Sequence, residues 1–202
     1  MNISKRITIF LLVCFISLPC IAHRHSGAYA AILENISDYT DAEKLSRAVE
    51  YFQSGKYHEA LIWFSKLDKK YKLNPRFQAY MGVCCYYDGE YKRAIEALEP
   101  ILPKLKAFAP HELAVYYYSV ADSYFRLNKY IDAVPFYEKH TLLCYNNEKG
   151  DSLFRIGICY KHLGDIEIAQ EYFVEALAYF RRYNDTDRLK YIERELERST
   201  DN

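Results

Sequence analysis

One short pattern occurs four times in this chain, at a spacing that leaves few folds open. Gly55-Lys56-Tyr57 with Ala60 returns as Gly89-Glu90-Tyr91 with Ala94. Looser copies follow at Asn128-Lys129-Tyr130 with Ala133 and at Gly164-Asp165-Ile166 with Ala169. The turn residues stand 34, 39 and 36 residues apart. Self-similarity at such a period marks a stacked-repeat protein, in which each unit buries one face against its neighbours. Seven residues before each turn stands a small residue: Ala48, Gly82, Ala121 and Gly157. Four before it stand Tyr51, Cys85, Tyr124 and Tyr160, and nine after it Phe64, Leu98, Tyr137 and Phe173. Apolar residues on both sides recur at three- and four-residue steps, as on amphipathic helices. Each unit reads as helix, short turn, helix, with Gly or Asn supplying a left-handed residue at the first helix end. An ordinary bundle would not concentrate glycine this way: of seven, three lie at turns and two at the close-packing position.

The small residue, the aromatic, the Gly-x-Tyr turn, the alanine and the later aromatic resemble the tetratricopeptide repeat in order and spacing. The resemblance covers roughly Asp41 to Arg182. It departs from the family pattern early in the first helix, where Lys44, Gln78, Tyr117 and Leu153 replace the common tryptophan. Pro75 also comes a few residues later than a repeat-closing proline. The resemblance implies an all-α, right-handed α-solenoid of about four helix-turn-helix repeats over 41–182, closed by a capping helix at 185–198.

Helix pairs are expected at about 41–54 with 57–71, 75–88 with 91–106, 111–127 with 130–144, and 150–163 with 166–182. Thr40 and Glu43 form a capping box for the first helix. Pro100 and Pro103 should end or kink the second pair's latter half, absorbing the longer spacing before Pro110. Pro135 should bend the third pair. Asp185 to Asp187 can cap a last helix, on which Leu189, Ile192 and Leu196 make one apolar stripe. That stripe suits covering the open end of the array, with self-association through the C-terminal helix as the alternative.

Residues 1–22 read as an export signal. Lys5 and Arg6 precede a short apolar run, Ile7 to Leu18, and Cys20 and Ala22 suit cleavage before His23. Lipidation at Cys20 is the second reading, although Pro19 fits that box poorly, and an uncleaved anchor is the third. All three place the repeats outside the cytoplasm, in the periplasm or at the cell surface. Residues 23–40 form an N-terminal tail. Loss of Lys5 and Arg6 leaves 25 basic against 27 acidic residues, a net charge of −2. With no basic stripe, nucleic acid is not an expected partner. Membrane contact is expected only through Cys20 or a retained signal.

The cysteines Cys84, Cys85, Cys144 and Cys159 match no zinc-module spacing. Buried free thiols are expected, while a pairing of Cys84 or Cys159 with Cys144 stays open. His58-Glu59 and His111-Glu112 begin like zinc-protease helices, but Ile62 and Val115 stand where the second histidine belongs. No phosphate loop or nucleophile elbow is present, so no enzyme activity and no cofactor is expected. If cleavage exposes His23, the free amine with His25 could wrap copper(II) in square-planar geometry. A plain histidine-containing tail is the simpler reading.

In the resembled family the first helices line a concave groove that takes a peptide or helix. Carried over by position, the groove holds Phe52, then Tyr86 and Tyr87, then Tyr118, Asp122, Phe125 and Arg126, and finally Phe154, Lys161 and His162. Leu45, Val49, Ala79 and Val83 stand where relatives that clamp a C-terminal carboxylate use Lys, Asn and Arg, so that activity is not expected. An aromatic wall suits an apolar peptide or amphipathic helix, or else these rings pack within the repeats. The sequence thus points to an exported, non-enzymatic protein-binding scaffold, with envelope assembly as the expected role. The alternative is a periplasmic sensor whose groove takes a small ligand or signal peptide.

Overall fold

The computed structural model describes residues 39–200. The expected export signal, most of the tail, and His23 and His25 lie outside these residues. The described residues fall into two units, one ending at Arg47 and the other beginning at Ala48. In the first, Thr40 and Glu43 make a capping box at the head of α1 (Asp41–Gln53). The Thr40 N–H donates to Glu43 Oε2 at 2.8 Å, and the Glu43 N–H donates to Thr40 Oγ1 at 3.4 Å.

The second unit is a stack of helix pairs. It continues from α1 through α2 (Tyr57–Tyr71), α3 (Pro75–Tyr87), α4 (Tyr91–Leu98), a 3-10 segment (Glu99–Leu105) and α5 (Pro110–Arg126). Then come α6 (Tyr130–Leu143), α7 (Asn146–Leu163), α8 (Ile166–Arg182) and α9 (Thr186–Thr200). Among the described residues there is no strand. From α2 onward each helix packs on its neighbours in sequence, and α3 also meets α5. This nearest-neighbour pattern is that of an all-α solenoid.

The four turns share one backbone design. Gly55, Gly89, Asn128 and Gly164 all have positive φ, at 73°, 77°, 58° and 90°. In each, the next residue's N–H reaches back to the carbonyl of Tyr51, Cys85, Tyr124 or Tyr160, at 2.9–3.0 Å. That bond satisfies a carbonyl the helix end would otherwise leave orphaned. The alanine five residues after each turn residue closes the first bond of the second helix, and all four alanines are buried. A fifth copy of the turn follows α8. Asn184 has φ 56°, and the Asp185 N–H bonds the Phe180 carbonyl at 3.0 Å.

Pair packing rests on the small residue of the first helix facing the large residue of the second. A Cβ on Gly82 would lie 2.5 Å from Leu98 Cγ, and one on Gly157 would lie 2.5 Å from Phe173 Cε1. Phe64, Leu98, Tyr137 and Phe173 are all fully buried. Each such side chain contributes about 2 kcal/mol through area removed from water.

Three features differ from a regular repeat. α4 stops at Leu98, and Pro100 and Pro103 fall in the 3-10 segment, which still buries Ile101, Leu102 and Leu105. Pro135 does not end α6, because the helix is held by Val134 and Tyr137 buried on either side of it. α7 begins at Asn146, four residues before the expected 150. Glu148 starts it early by accepting the Tyr145 N–H at 3.1 Å.

At the far end Asp185 caps α9, accepting the Arg188 N–H at 3.2 Å. Ile192 is fully buried against Leu153, Phe173 and Phe180, with Leu189 and Leu196 beside it. The stripe thus covers the last pair. Glu195 is buried as well and pairs with Lys161. Cys84, Cys85, Cys144 and Cys159 are all free thiols, three of them buried. Burial pushes Cys159 up to about 12 and Cys85 up to about 11, which keeps both protonated and inert.

Gly157→Ala should destabilise the array by roughly 1–3 kcal/mol through overpacking, despite a helix-propensity gain of about 1 kcal/mol. Urea unfolding of this variant, of Phe173→Leu and of the double variant should show the second change relieving the first. Simple additivity would mean that the two sites do not share this contact.

Candidate partner-binding face

The side chains expected to line the groove sort into two groups. Most are used between repeats. Phe52 stacks on Tyr80 at 4.3 Å between centroids and meets the edge of Tyr57 at 5.8 Å. Phe125 lies edge-on to Tyr130 and under the Arg155 guanidinium at 4.7 Å. Phe154 packs against Phe173, Phe180 and Tyr191. His162 stacks on Tyr130 at 4.3 Å, and Lys161 is the partner of Glu195. Ala79 and Val83 are buried in the core rather than in a groove wall.

Asp122 is the plainest correction. It was expected to face a partner and orient it, but it is 1% exposed. Tyr137 donates its hydroxyl to Asp122 Oδ1 at 2.9 Å, and Tyr86 donates to Oδ2 at 3.0 Å. Arg126 Nε donates to Oδ2 at 3.0 Å, and Arg155 Nε stands 3.8 Å from Oδ1. Three helix pairs therefore converge on one carboxylate. Burial first, then the Asp122 charge, holds the Tyr86 and Tyr137 hydroxyls well above the usual tyrosine range, so both remain donors. The same carboxylate raises Arg126, whose side chain is about half exposed and closes the network on the outside.

Tyr87 and Tyr118 remain, and they do share a concave site. A cavity of about 350 Å³ is lined by Tyr87 of α3 and by His111, Val115, Tyr118 and Ser119 of α5. His140 of α6, with Tyr145, Glu148 and Asp151 at the start of α7, completes it. Tyr87 is 55% exposed and is braced flat on Tyr57 at 4.1 Å. Val115 is 44% exposed, a large apolar side chain presented to solvent at the cavity wall. His111 and Tyr145 stack across the cavity wall at 5.8 Å. His140 is buried, with Nδ1 2.7 Å from Ser152 Oγ, and burial lowers it to about 4, so it is neutral at pH 7.

Sequence reasoning found Tyr87 and Tyr118 but missed His111, Val115, His140 and Glu148. Two of the four were within reach, because Val115 lies three residues and His111 seven residues before Tyr118 on the same helix face. His140 comes from a second helix, which the groove assignment left out.

Residues 150–182 match the tetratricopeptide-repeat family model. No curated protein matches the chain in sequence. Among solved structures, MamA (AMB-1) aligns with a TM-score of 0.59 at 17% identity, covering 80% of this chain and 97% of that one. MamA (MSR-1) gives 0.56 at 15% identity over 80% and 97%. BtubC from P. vanneervenii gives 0.57 at 13% over 71% and 64%, so this chain spans under two thirds of that protein. At these identities the likeness is one of fold. With the shared turns, it shows an all-α solenoid of helix-turn-helix units, of which residues 150–182 match that repeat.

Asp122→Ala should cost about 3–5 kcal/mol, since it leaves buried donors and guanidinium groups without their acceptor. Arg126→Ala, at the exposed end of the network, should cost about 1 kcal/mol or less. Urea midpoints of the two variants check the ordering, and equal losses would mean that Asp122 is not the hub.

Proposed function

We propose that this chain is a non-enzymatic protein–protein interaction scaffold, and that it binds an apolar peptide segment at the cavity between α5 and α7. The observation behind this reading is the exposure there of Tyr87 and Val115 beside the half-buried ring of Tyr118. Rigid aromatic anchors at the rim of a preformed concavity lose little entropy on binding. The polar groups at its other side, Glu148 and Asp151, would select a segment with a basic or amide donor beside its apolar anchor. The export reading belongs to the same proposal. The basic, apolar, small-residue order of residues 1–22 supports a scaffold working in the cell envelope, in assembly or maintenance there.

A second reading has its own support. A cavity of about 350 Å³ lies in the range that holds small ligands, so a sensor module taking a metabolite or signal peptide fits the same walls.

Peptides selected from a displayed library should bind the wild-type chain with micromolar affinity. Val115→Asp and Tyr87→Ala should each weaken them tenfold or more, read by calorimetry, with melting temperatures near wild type for Val115→Asp. Unchanged affinity in both variants would remove this site from the proposal. A library that yields nothing, with a metabolite that raises the melting temperature, would favour the sensor.

Export is checked separately, by intact mass of the chain made with its own N-terminus in a bacterial host. A product starting at His23, or one bearing lipid on Cys20, is expected in the envelope fraction. Full-length chain confined to the cytosol would overturn export and leave the binding reading standing.

A further inference from the structure

His140, Cys144 and Glu148 stand at the junction of α6 and α7, and nothing in the binding reading uses them as a set. Each offers one donor atom, and the three donors lie within 4.8 Å of one another. The arrangement follows from local structure. The Cys144 N–H bonds the His140 carbonyl at 2.9 Å, which places their side chains one turn apart on one face of α6. The chain then reverses at Tyr145, and the first turn of α7 returns Glu148 to the same place, with Oε2 on the Tyr145 N–H.

We propose that His140, Cys144 and Glu148 form a three-ligand site for a divalent cation of the zinc class. One imidazole nitrogen, one thiolate and one carboxylate oxygen make a mixed donor set of borderline softness. Such a set suits zinc better than the all-oxygen preference of magnesium or calcium. Tetrahedral zinc, with bonds of about 2.0–2.3 Å, holds its ligands roughly 3.5 Å apart. Closing the cluster to that spacing takes a shift of about 1 Å, which the exposed Glu148 side chain can supply.

The surroundings support the assignment. Ser152 Oγ at 2.7 Å fixes the His140 ring through Nδ1, the kind of outer partner that orients a metal-bound histidine through its other nitrogen. Tyr118 packs against the same ring at 5.1 Å between centroids. On binding, the Cys144 thiol loses its proton to solvent and the thiolate bonds the cation, with no change of oxidation state. His140 and Glu148 also line the cavity beneath Tyr118, so the fourth coordination position would open onto it. Water, or a donor from whatever occupies the cavity, would fill that position. The site stands whether or not the occupant is a peptide.

The test uses the reduced, chelator-treated full-length chain titrated with Co²⁺ and competed with Zn²⁺. One equivalent of Co²⁺ should give thiolate-to-cobalt charge-transfer absorption with intense tetrahedral d–d bands, and Zn²⁺ should bleach both. Cys144→Ala should abolish the charge-transfer band while keeping the helical circular dichroism. Glu148→Gln should weaken binding tenfold or more and retain the band at saturation. Absence of the band in wild type, or its persistence in Cys144→Ala, would overturn the proposal. Peptide binding at the cavity is measured apart from this, so either reading can fail alone.

Discussion

The structure depends on how closely two helices can approach at one small residue. Gly82 against Leu98 and Gly157 against Phe173 leave no room for a methyl group. Ala48 and Ala121 hold the same place, fully buried, in the other two pairs. Once the distance is set there, the left-handed residue and its back-bonded neighbour fix the angle at which the second helix departs. Every pair then presents its faces in one register, and the pairs stack. Because each pair buries its face only against its neighbours, stability in such an array accumulates pair by pair, and the last pair needs α9 to cover it.

A second layer of contacts joins one pair to the next, and it is aromatic and polar at once. Phe52 on Tyr80, Tyr86 toward Tyr118 and His162 on Tyr130 link successive pairs with rings. Asp122 joins three pairs through hydroxyl and guanidinium donors. A buried carboxylate is costly to desolvate, so it is held only where its partners meet it in fixed positions. The high tyrosine content of the chain is spent largely here. A tyrosine fills core volume with its ring and still supplies a hydroxyl to reach the carboxylate.

These two layers differ in how far they can be read from sequence. The pair contact repeats at a fixed offset from each turn, so four copies of small residue, turn, alanine and large residue identified it without a structure. The Asn128 turn was legible as well, since asparagine tolerates the left-handed conformation. Contacts between pairs do not repeat. Six residues before the turn residue stand Val49, Val83, Asp122 and Ile158 in turn, and only the structure shows that Asp122 points inward to Tyr137. The register identifies a helix face, but half of that face is covered by the next pair. Pattern alone cannot divide the covered residues from the open ones, because both are apolar or aromatic. His140 shows the same limit from the other side, being a cavity residue drawn from a second helix.

What opens the cavity is a departure from regularity. α1 and α3 are each 13 residues long, whereas α5 has 17 and α7 has 18. The extra length lies at the N-terminal ends of α5 and α7, before the positions where the repeat pattern would start them. His111 sits in the added turn of α5, with Tyr145 and Glu148 at the added turn of α7. The stack of His111 on Tyr145 holds these two extensions side by side, beyond the part of the array that pair packing fills. In a regular array α5 and α7 would have begun at Ala114 and Gly150 and left no such wall. The repeat thus supplies a rigid support, and the residues free to take on chemistry collect where two copies exceed it. The binding cavity and the His140, Cys144 and Glu148 cluster therefore share one structural origin, the early start of α7.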